Sequence, residues 1–66
     1  MKTEHYHFAY AIVNSKGEFY TGRTFDHPQV WAKSNADAFT YSERGAYTKI
    51  ALFPFAFNGC YVLRVL

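Results

Sequence analysis

Apolar residues alternate with other residues along the stretch from residue 5 to residue 13, as they do in a β-strand. One face of that strand would carry Tyr6, Phe8, Tyr10 and Ile12, and the other would carry His5, His7, Ala9, Ala11 and Val13. The sequence Asn-Ser-Lys-Gly follows at 14–17, where Gly17 can adopt a positive φ, and β-forming residues resume at 18–21. Residues 5–22 are therefore predicted to form a β-hairpin.

The second half of the chain predicts one helix. Thr40 and Glu43 have the spacing of a capping box, which places the start of the helix near residue 41 or 42. Pro54 ends it, because proline lacks the backbone N–H that a helix interior requires. The buried stripe of this helix would consist of Ala46, Ile50 and Phe53.

The remaining segments predict one more strand and one long connection. Residues 60–66 are apolar apart from Arg64, which indicates a strand. Residues 23–37 are expected to form an irregular connection held in place by Trp31, followed by a short strand at 38–39. We therefore expect a single small α+β domain over residues 1–66, in which the N-terminal hairpin and the C-terminal strand form an antiparallel sheet with one helix packed on one face.

The faces of the first strand suggest how the protein associates. If Ala9 and Ala11 lie beneath the helix, the face with Tyr6, Phe8 and Tyr10 stays uncovered. Such an apolar patch is large for a monomer, so it predicts a second copy or a target protein as its cover. The alternative is that the helix covers the aromatic face and that the alanine face is in solvent.

Composition excludes several classes of protein. A chain of 66 residues cannot be a two-domain enzyme, and with 50% hydrophobic residues it can build a core. The formal net charge of +2 gives little attraction to phosphate backbones. A single cysteine cannot form an internal disulfide, which favours a protein of the reducing cytoplasm. We also expect no secretion signal and no membrane span.

Candidate chemistry is sparse. His5 and His7 would lie on one side of a strand and suit a metal if His27 or Cys60 completed the site, although solvated side chains are the alternative interpretation. Nothing near Cys60 in the sequence would lower the pKa of its thiol. We therefore predict a non-enzymatic protein with no cofactor and no metal site.

Residues 9–12 and 17–24, Ala-Tyr-Ala-Ile and Gly-Glu-Phe-Tyr-Thr-Gly-Arg-Thr, resemble the opening hairpin of the GIY-YIG endonuclease family. In that family two tyrosines and a downstream arginine, histidine and glutamate act on phosphodiesters. Here Pro28 follows the hairpin and no arginine occurs between Arg23 and Arg44. The resemblance implies a degenerate nuclease as a remote alternative.

A second pattern extends over most of the chain. It comprises residues 17–23, Trp31, the Ala-Asp-Ala-Phe-Thr-Tyr segment at 36–41 and the Gly45-Ala46 helix. The pattern is similar to short, mostly uncharacterised proteins of bacteriophages and prophages. That resemblance implies an accessory protein that binds and blocks host machinery, such as CRISPR effectors or other antiviral defence complexes, or that sequesters their nucleotide signals.

These observations predict a homodimeric or larger protein that blocks a host protein in the bacterial cytoplasm. Tyrosine, tryptophan and arginine dominate the energetics of protein interfaces, and they supply most of the candidates. The candidate partner-binding residues are Tyr6, Phe8, Tyr10, Tyr20, Arg23, Trp31 and Arg64. The alternative partner is a nucleotide or a nucleic acid, whose bases would stack on the aromatic rings while arginines contact phosphate.

Overall fold

The computed structural model describes residues 8–66, so the predictions made for His5, Tyr6 and His7 lie outside the described residues. The elements are β1 (Tyr10–Val13), β2 (Phe19–Tyr20), β3 (Trp31–Ala32), a 3-10 helix (Asn35–Asp37), α1 (Glu43–Leu52) and β4 (Tyr61–Arg64). The four strands form one antiparallel sheet in the order β3-β2-β1-β4, and α1 contacts it. The predicted α+β fold is confirmed.

Asn14 builds the turn between β1 and β2. Its side-chain Oδ1 accepts hydrogen bonds from the backbone N–H groups of Lys16 and Glu18, both at 2.9 Å. Gly17 has a φ of 80° and donates its N–H to the Asn14 carbonyl at 3.0 Å. The hairpin is confirmed over the described residues, although β1 begins only at Tyr10.

Trp31 belongs to a strand, and the expectation of an irregular connection there is wrong. Tyr20 pairs with Trp31, and just beyond that pair the Thr21 N–H donates to the Val30 carbonyl at 2.9 Å. The short strand expected at 38–39 does not form. Phe39 instead makes a single backbone hydrogen bond, to the Tyr20 carbonyl at 2.9 Å. The strand that pairs with β2 is therefore formed by residues 31–32 and not by residues 38–39.

Ser42 caps helix α1. Its Oγ accepts from the Gly45 N–H at 2.9 Å, so the capping box predicted for Thr40 and Glu43 is wrong. The helix ends at Leu52, two residues before Pro54, as predicted.

The core lies between α1 and the face of the sheet that carries Tyr10 and Ile12. Its buried cluster consists of Ile12, Tyr20, Val30, Ala46 and Phe57, with Tyr10, Ile50 and Val62 among the residues packed against it. The expectation that Tyr10 and Ile12 project from the uncovered face is therefore wrong. The physical reason is that Ala46, a small residue on the helix, lets the helix approach the sheet closely. The sheet can therefore direct large side chains such as Ile12 and Tyr20 toward the helix.

The helix covers the face with Tyr10 and Ile12, as the alternative interpretation expected. That interpretation also placed the opposite face of β1 in solvent, which is wrong. Ala11 and Val13 are buried there, and their neighbours across the ladder are Leu63 and Tyr61. Those two larger side chains are 41% and 49% exposed. The second face of the sheet is thus apolar as well, and β4 carries its most accessible part.

Candidate functional site

An aromatic cluster connects the core to one end of the molecule. Phe57 is 1% exposed, and its ring centroid lies 5.0 Å from that of Tyr20 and 5.5 Å from that of Phe25. Phe25 also stacks on Tyr20, with centroids 5.5 Å apart, while 48% of its own surface stays exposed. Trp31 completes the cluster at 6.2 Å from Phe57. The buried rings of Tyr20 and Phe57 therefore pack against the half-exposed ring of Phe25.

A cavity of about 300 Å³ opens over this cluster, and we call it the aromatic cavity. It lies between the loop that follows β2 and the C-terminal end of α1. Its lining residues are Tyr20, Gly22, Arg23, Thr24, Phe25, Lys49, Phe53 and Ala56. Segments that are distant along the chain thus form one concave surface.

Gly22 and Tyr20 shape the loop on one side of the aromatic cavity. Gly22 has a φ of +83°, and a Cβ at this position would lie 2.9 Å from the Phe39 ring. Both the backbone and the available space therefore favour glycine. The Tyr20 hydroxyl donates to the Arg23 carbonyl at 3.1 Å, which fixes the loop directly after the glycine.

The charged side chains that line the aromatic cavity are both cationic, and the nearby Asp26 carboxylate accepts a hydrogen bond from the lining residue Thr24. Arg23 and Lys49 line it, and none of the described residues that line it carries a carboxylate. The Lys49 Nζ lies 4.7 Å from the centroid of the Phe53 ring, a cation–π distance. An apolar surface beside two cations suits a partner that combines an apolar group with negative charge.

A second cavity, of about 310 Å³, is also lined by Arg23, and we call it the polar cavity. Its lining residues are Thr21, Arg23, Gln29, Trp31, Ala32 and Asp37. One guanidinium nitrogen of Arg23 donates to the Gln29 carbonyl at 3.2 Å, so the side chain extends along this wall. Arg23 is therefore shared by both cavities.

The structure brings three of the predicted partner-binding residues together at these cavities. Tyr20 is 3% exposed and supports the aromatic cavity from within the core, whereas Arg23 is exposed. Trp31 is half-buried in β3 and forms part of the polar cavity.

The other described candidates lie elsewhere and line neither of these two cavities. Phe8 is 57% exposed, and Tyr10 is half-buried against the core. Arg64 pairs with Tyr10 across the β1–β4 ladder and donates its Nε–H to the Leu66 carbonyl at 2.8 Å. Tyr6 lies outside the described residues.

Sequence reasoning missed Phe25, Lys49 and Ala56 as site residues, and it placed Phe53 in the buried stripe of the helix. Phe53 is 47% exposed. The available signal was the run Phe-Pro-Phe-Ala-Phe at 53–57, because a proline that ends a helix leaves its neighbouring apolar residues in a turn. Within that run Phe55 is 96% exposed and Phe57 is buried.

Burial favours the neutral form of three side chains near the core, Tyr20, Tyr41 and Cys60. Burial raises the pKa of the Tyr20 hydroxyl, which lies in the segment that resembles the GIY-YIG hairpin. Burial is the main cause that raises the pKa of Tyr41 to about 12, and repulsion from the ionised form of Tyr20 adds to this shift. Burial also raises the pKa of the Cys60 thiol, so this side chain is a thiol and a poor nucleophile at neutral pH.

Residues 8–66 contain no group of three or more His, Cys, Asp or Glu residues placed to hold a metal ion. His27, a candidate metal ligand by its sequence, accepts the Gln29 N–H through its Nδ1 at 3.0 Å. Over the same part of the chain, no helix combines the length and the apolar character needed to cross a bilayer.

Comparison of the chain with protein-family models, with curated proteins and with solved structures found no match.

Proposed function

We propose that the chain is a non-enzymatic binding protein that blocks another protein by inserting the partner's apolar side chain into the aromatic cavity. The observation that carries this proposal is the pair Phe25 and Phe53, each about half exposed, which line one concave surface together with Arg23 and Lys49.

The energetics favour a protein partner. Full burial of one phenylalanine side chain contributes roughly 1.5–3 kcal/mol, so covering both half-exposed rings supplies a useful part of a binding free energy. Rigid aromatic side chains with an adjacent arginine are typical of the residues that dominate protein interfaces. The contacts of Phe25 with Tyr20 and Phe57 hold its ring in place before binding, which lowers the entropic cost of association.

The charge of the aromatic cavity selects among partners. With Arg23 and Lys49 at the cavity, the preferred segment presents an aspartate or glutamate beside its apolar anchor. The resemblance to small phage and prophage proteins supports a bacterial host cell as the setting. The partner in this proposal is therefore an acidic surface of a host intracellular protein, such as a CRISPR effector or another antiviral defence complex.

The test is a binding measurement against purified defence complexes, with each variant immobilised in turn. We expect Phe53→Ala and Arg23→Ala each to raise the dissociation constant at least tenfold. Phe53→Ala removes an apolar part of the site, and Arg23→Ala removes a cationic part. Tyr47→Ala is the matched control, since Tyr47 is an aromatic residue of α1 that is 57% exposed but does not line the cavity. Equal affinities for all three variants and the wild type would contradict the proposal.

A second candidate function is sequestration of a nucleotide, and the polar cavity favours it. Its volume of about 310 Å³ lies at the lower end of the range for small-ligand sites. Trp31 supplies an indole for stacking and Arg23 a guanidinium for phosphate. A nucleotide that binds there should raise the melting temperature and quench the Trp31 emission. Unchanged melting and emission with a panel of mono- and cyclic nucleotides would exclude this candidate.

A further inference from the structure

Strand β4 forms one edge of the sheet. Its inner side pairs with β1, from Val13↔Tyr61 to Tyr10↔Arg64. Among residues 8–66, no strand pairs with its other side. An edge of this kind presents unpaired backbone groups and is a template for another strand.

The hydrogen bonds of β1 show which backbone groups of β4 point outward. The Val65 N–H donates to the Ala9 carbonyl at 2.8 Å, so Val65 faces β1. Tyr10 exchanges both of its backbone hydrogen bonds with Tyr41, so its backbone faces away from its β4 partner Arg64. Because backbone direction alternates along an antiparallel strand, Val62 and Arg64 direct their N–H and C=O groups to the outer edge.

This edge carries few of the features that prevent strand addition. Residues 61–64 contain no proline, and their single charge, on Arg64, is drawn along the strand by its hydrogen bond to the Leu66 carbonyl. Tyr61 and Leu63 point to the face opposite α1 and are 49% and 41% exposed. The other edge of the sheet, β3, is only two residues long. The outer edge of β4 is therefore the stronger template.

We propose that two copies of this chain pair through the outer edges of β4, antiparallel and around a two-fold axis at Leu63, so that their two sheets become one. Val62 of each copy then exchanges backbone hydrogen bonds with Arg64 of the other. Leu63 faces its own counterpart, and Tyr61 faces Val65 of the second copy. An edge that pairs with a second copy of itself about a two-fold axis needs no other partner.

Competing registers are less favourable. An axis at Arg64 would place two guanidinium groups opposite each other, which destabilises a strand pair. An axis at Val62 would oppose Arg64 to Cys60, whose N–H already donates to the Phe57 carbonyl at 3.0 Å. The axis at Leu63 instead unites the most accessible apolar side chains of the second sheet face.

This dimer is independent of the proposed function. No residue of β4 lines the aromatic cavity, so both copies keep it open. Two cavities on one rigid assembly would bind a partner that displays two copies of the recognised surface more tightly than one cavity does.

A cysteine at the two-fold axis tests the proposal most directly. In the full chain with Cys60→Ala, Leu63→Cys should form a disulfide-linked dimer rapidly under mild oxidation, because facing residues at a non-hydrogen-bonded position lie close together. The matched control is Phe55→Cys in the same background, which is 96% exposed and away from the strand. Cross-linking of Leu63→Cys no faster than that of Phe55→Cys would overturn the proposal.

Light scattering supplies the second readout. The wild-type chain should have twice its monomer mass of 7.6 kDa at millimolar concentration. Arg64→Pro should be monomeric, since it deletes an outward N–H without removing a bond to β1, whereas Arg64→Gln should remain dimeric. A wild-type monomer at every concentration would overturn the dimer. Phe53→Ala should leave the mass unchanged, so failure of the proposed function and failure of this dimer are distinguishable.

Discussion

Gly22 sets the shape of the loop beside the aromatic cavity. Its φ of +83° and the Phe39 ring, 2.9 Å from the position of a Cβ, oppose any side chain there. The left-handed backbone alone costs an L-residue about 1–2 kcal/mol, and the contact adds to it. We expect Gly22→Ala to lower the free energy of unfolding by about 2–3 kcal/mol, measured by urea denaturation.

Gly17 provides the control for that measurement. Its φ is +80°, almost that of Gly22, but nothing lies within 4 Å of a Cβ at this position. Gly17→Ala should therefore show the backbone cost alone, about 1–2 kcal/mol. If the two variants lose equal stability, Phe39 moves aside and the close packing at Gly22 does not contribute.

At the scale of the element, helix α1 depends on its cap. The Ser42 Oγ accepts from the Gly45 N–H, and a glycine in the first turn makes the intrinsic helix propensity low. We expect Ser42→Ala to lower the free energy of unfolding by about 1 kcal/mol. Thr40→Ala, the control, should leave it unchanged. If only Thr40→Ala lowered the free energy of unfolding, the result would support the capping box of Thr40 and Glu43 instead.

The elements that the sequence predicts correctly are those with a strong local signal. Asn14 and Gly17 define the hairpin turn, and Pro54 limits the helix. The N-cap was misassigned because Thr40 and Ser42 both carry hydroxyls and only Thr40 has a glutamate three residues later. Strand β3 was missed because two residues are too few for an alternation pattern.

At the scale of the whole molecule, packing between distant segments decided what the sequence left open. Both faces of β1 are apolar, so alternation alone could not show which one the helix covers. Ala46 and Phe57, from beyond residue 40, settle that question by packing against Ile12. The site follows the same rule. Arg23 is recognisable in the sequence, but its neighbours Phe53 and Lys49 join it only through the fold.

Phe57 is buried in the core and contacts residues that line both cavities. It contacts Tyr20 and Phe25 at the aromatic cavity and Trp31 at the polar one. Phe57→Ala should cost about 3–5 kcal/mol, much of the stability of a chain this short, and so populate the unfolded state. Phe57→Leu retains most of the volume, so we expect a folded protein in which the rings of Phe25 and Trp31 have lost their edge contacts.

That variant separates folding from support of the site. Phe57→Leu should keep its far-UV circular dichroism while the Trp31 emission shifts to longer wavelength and binding through the aromatic cavity weakens. Phe55→Leu is the matched control, because Phe55 is 96% exposed and its replacement should change neither the emission nor the stability. If Phe57→Leu behaved like Phe55→Leu, the aromatic rings would pack independently. The cavities would then owe their shape to the loops alone, and the half-exposed Phe25 would no longer be held in place for a partner.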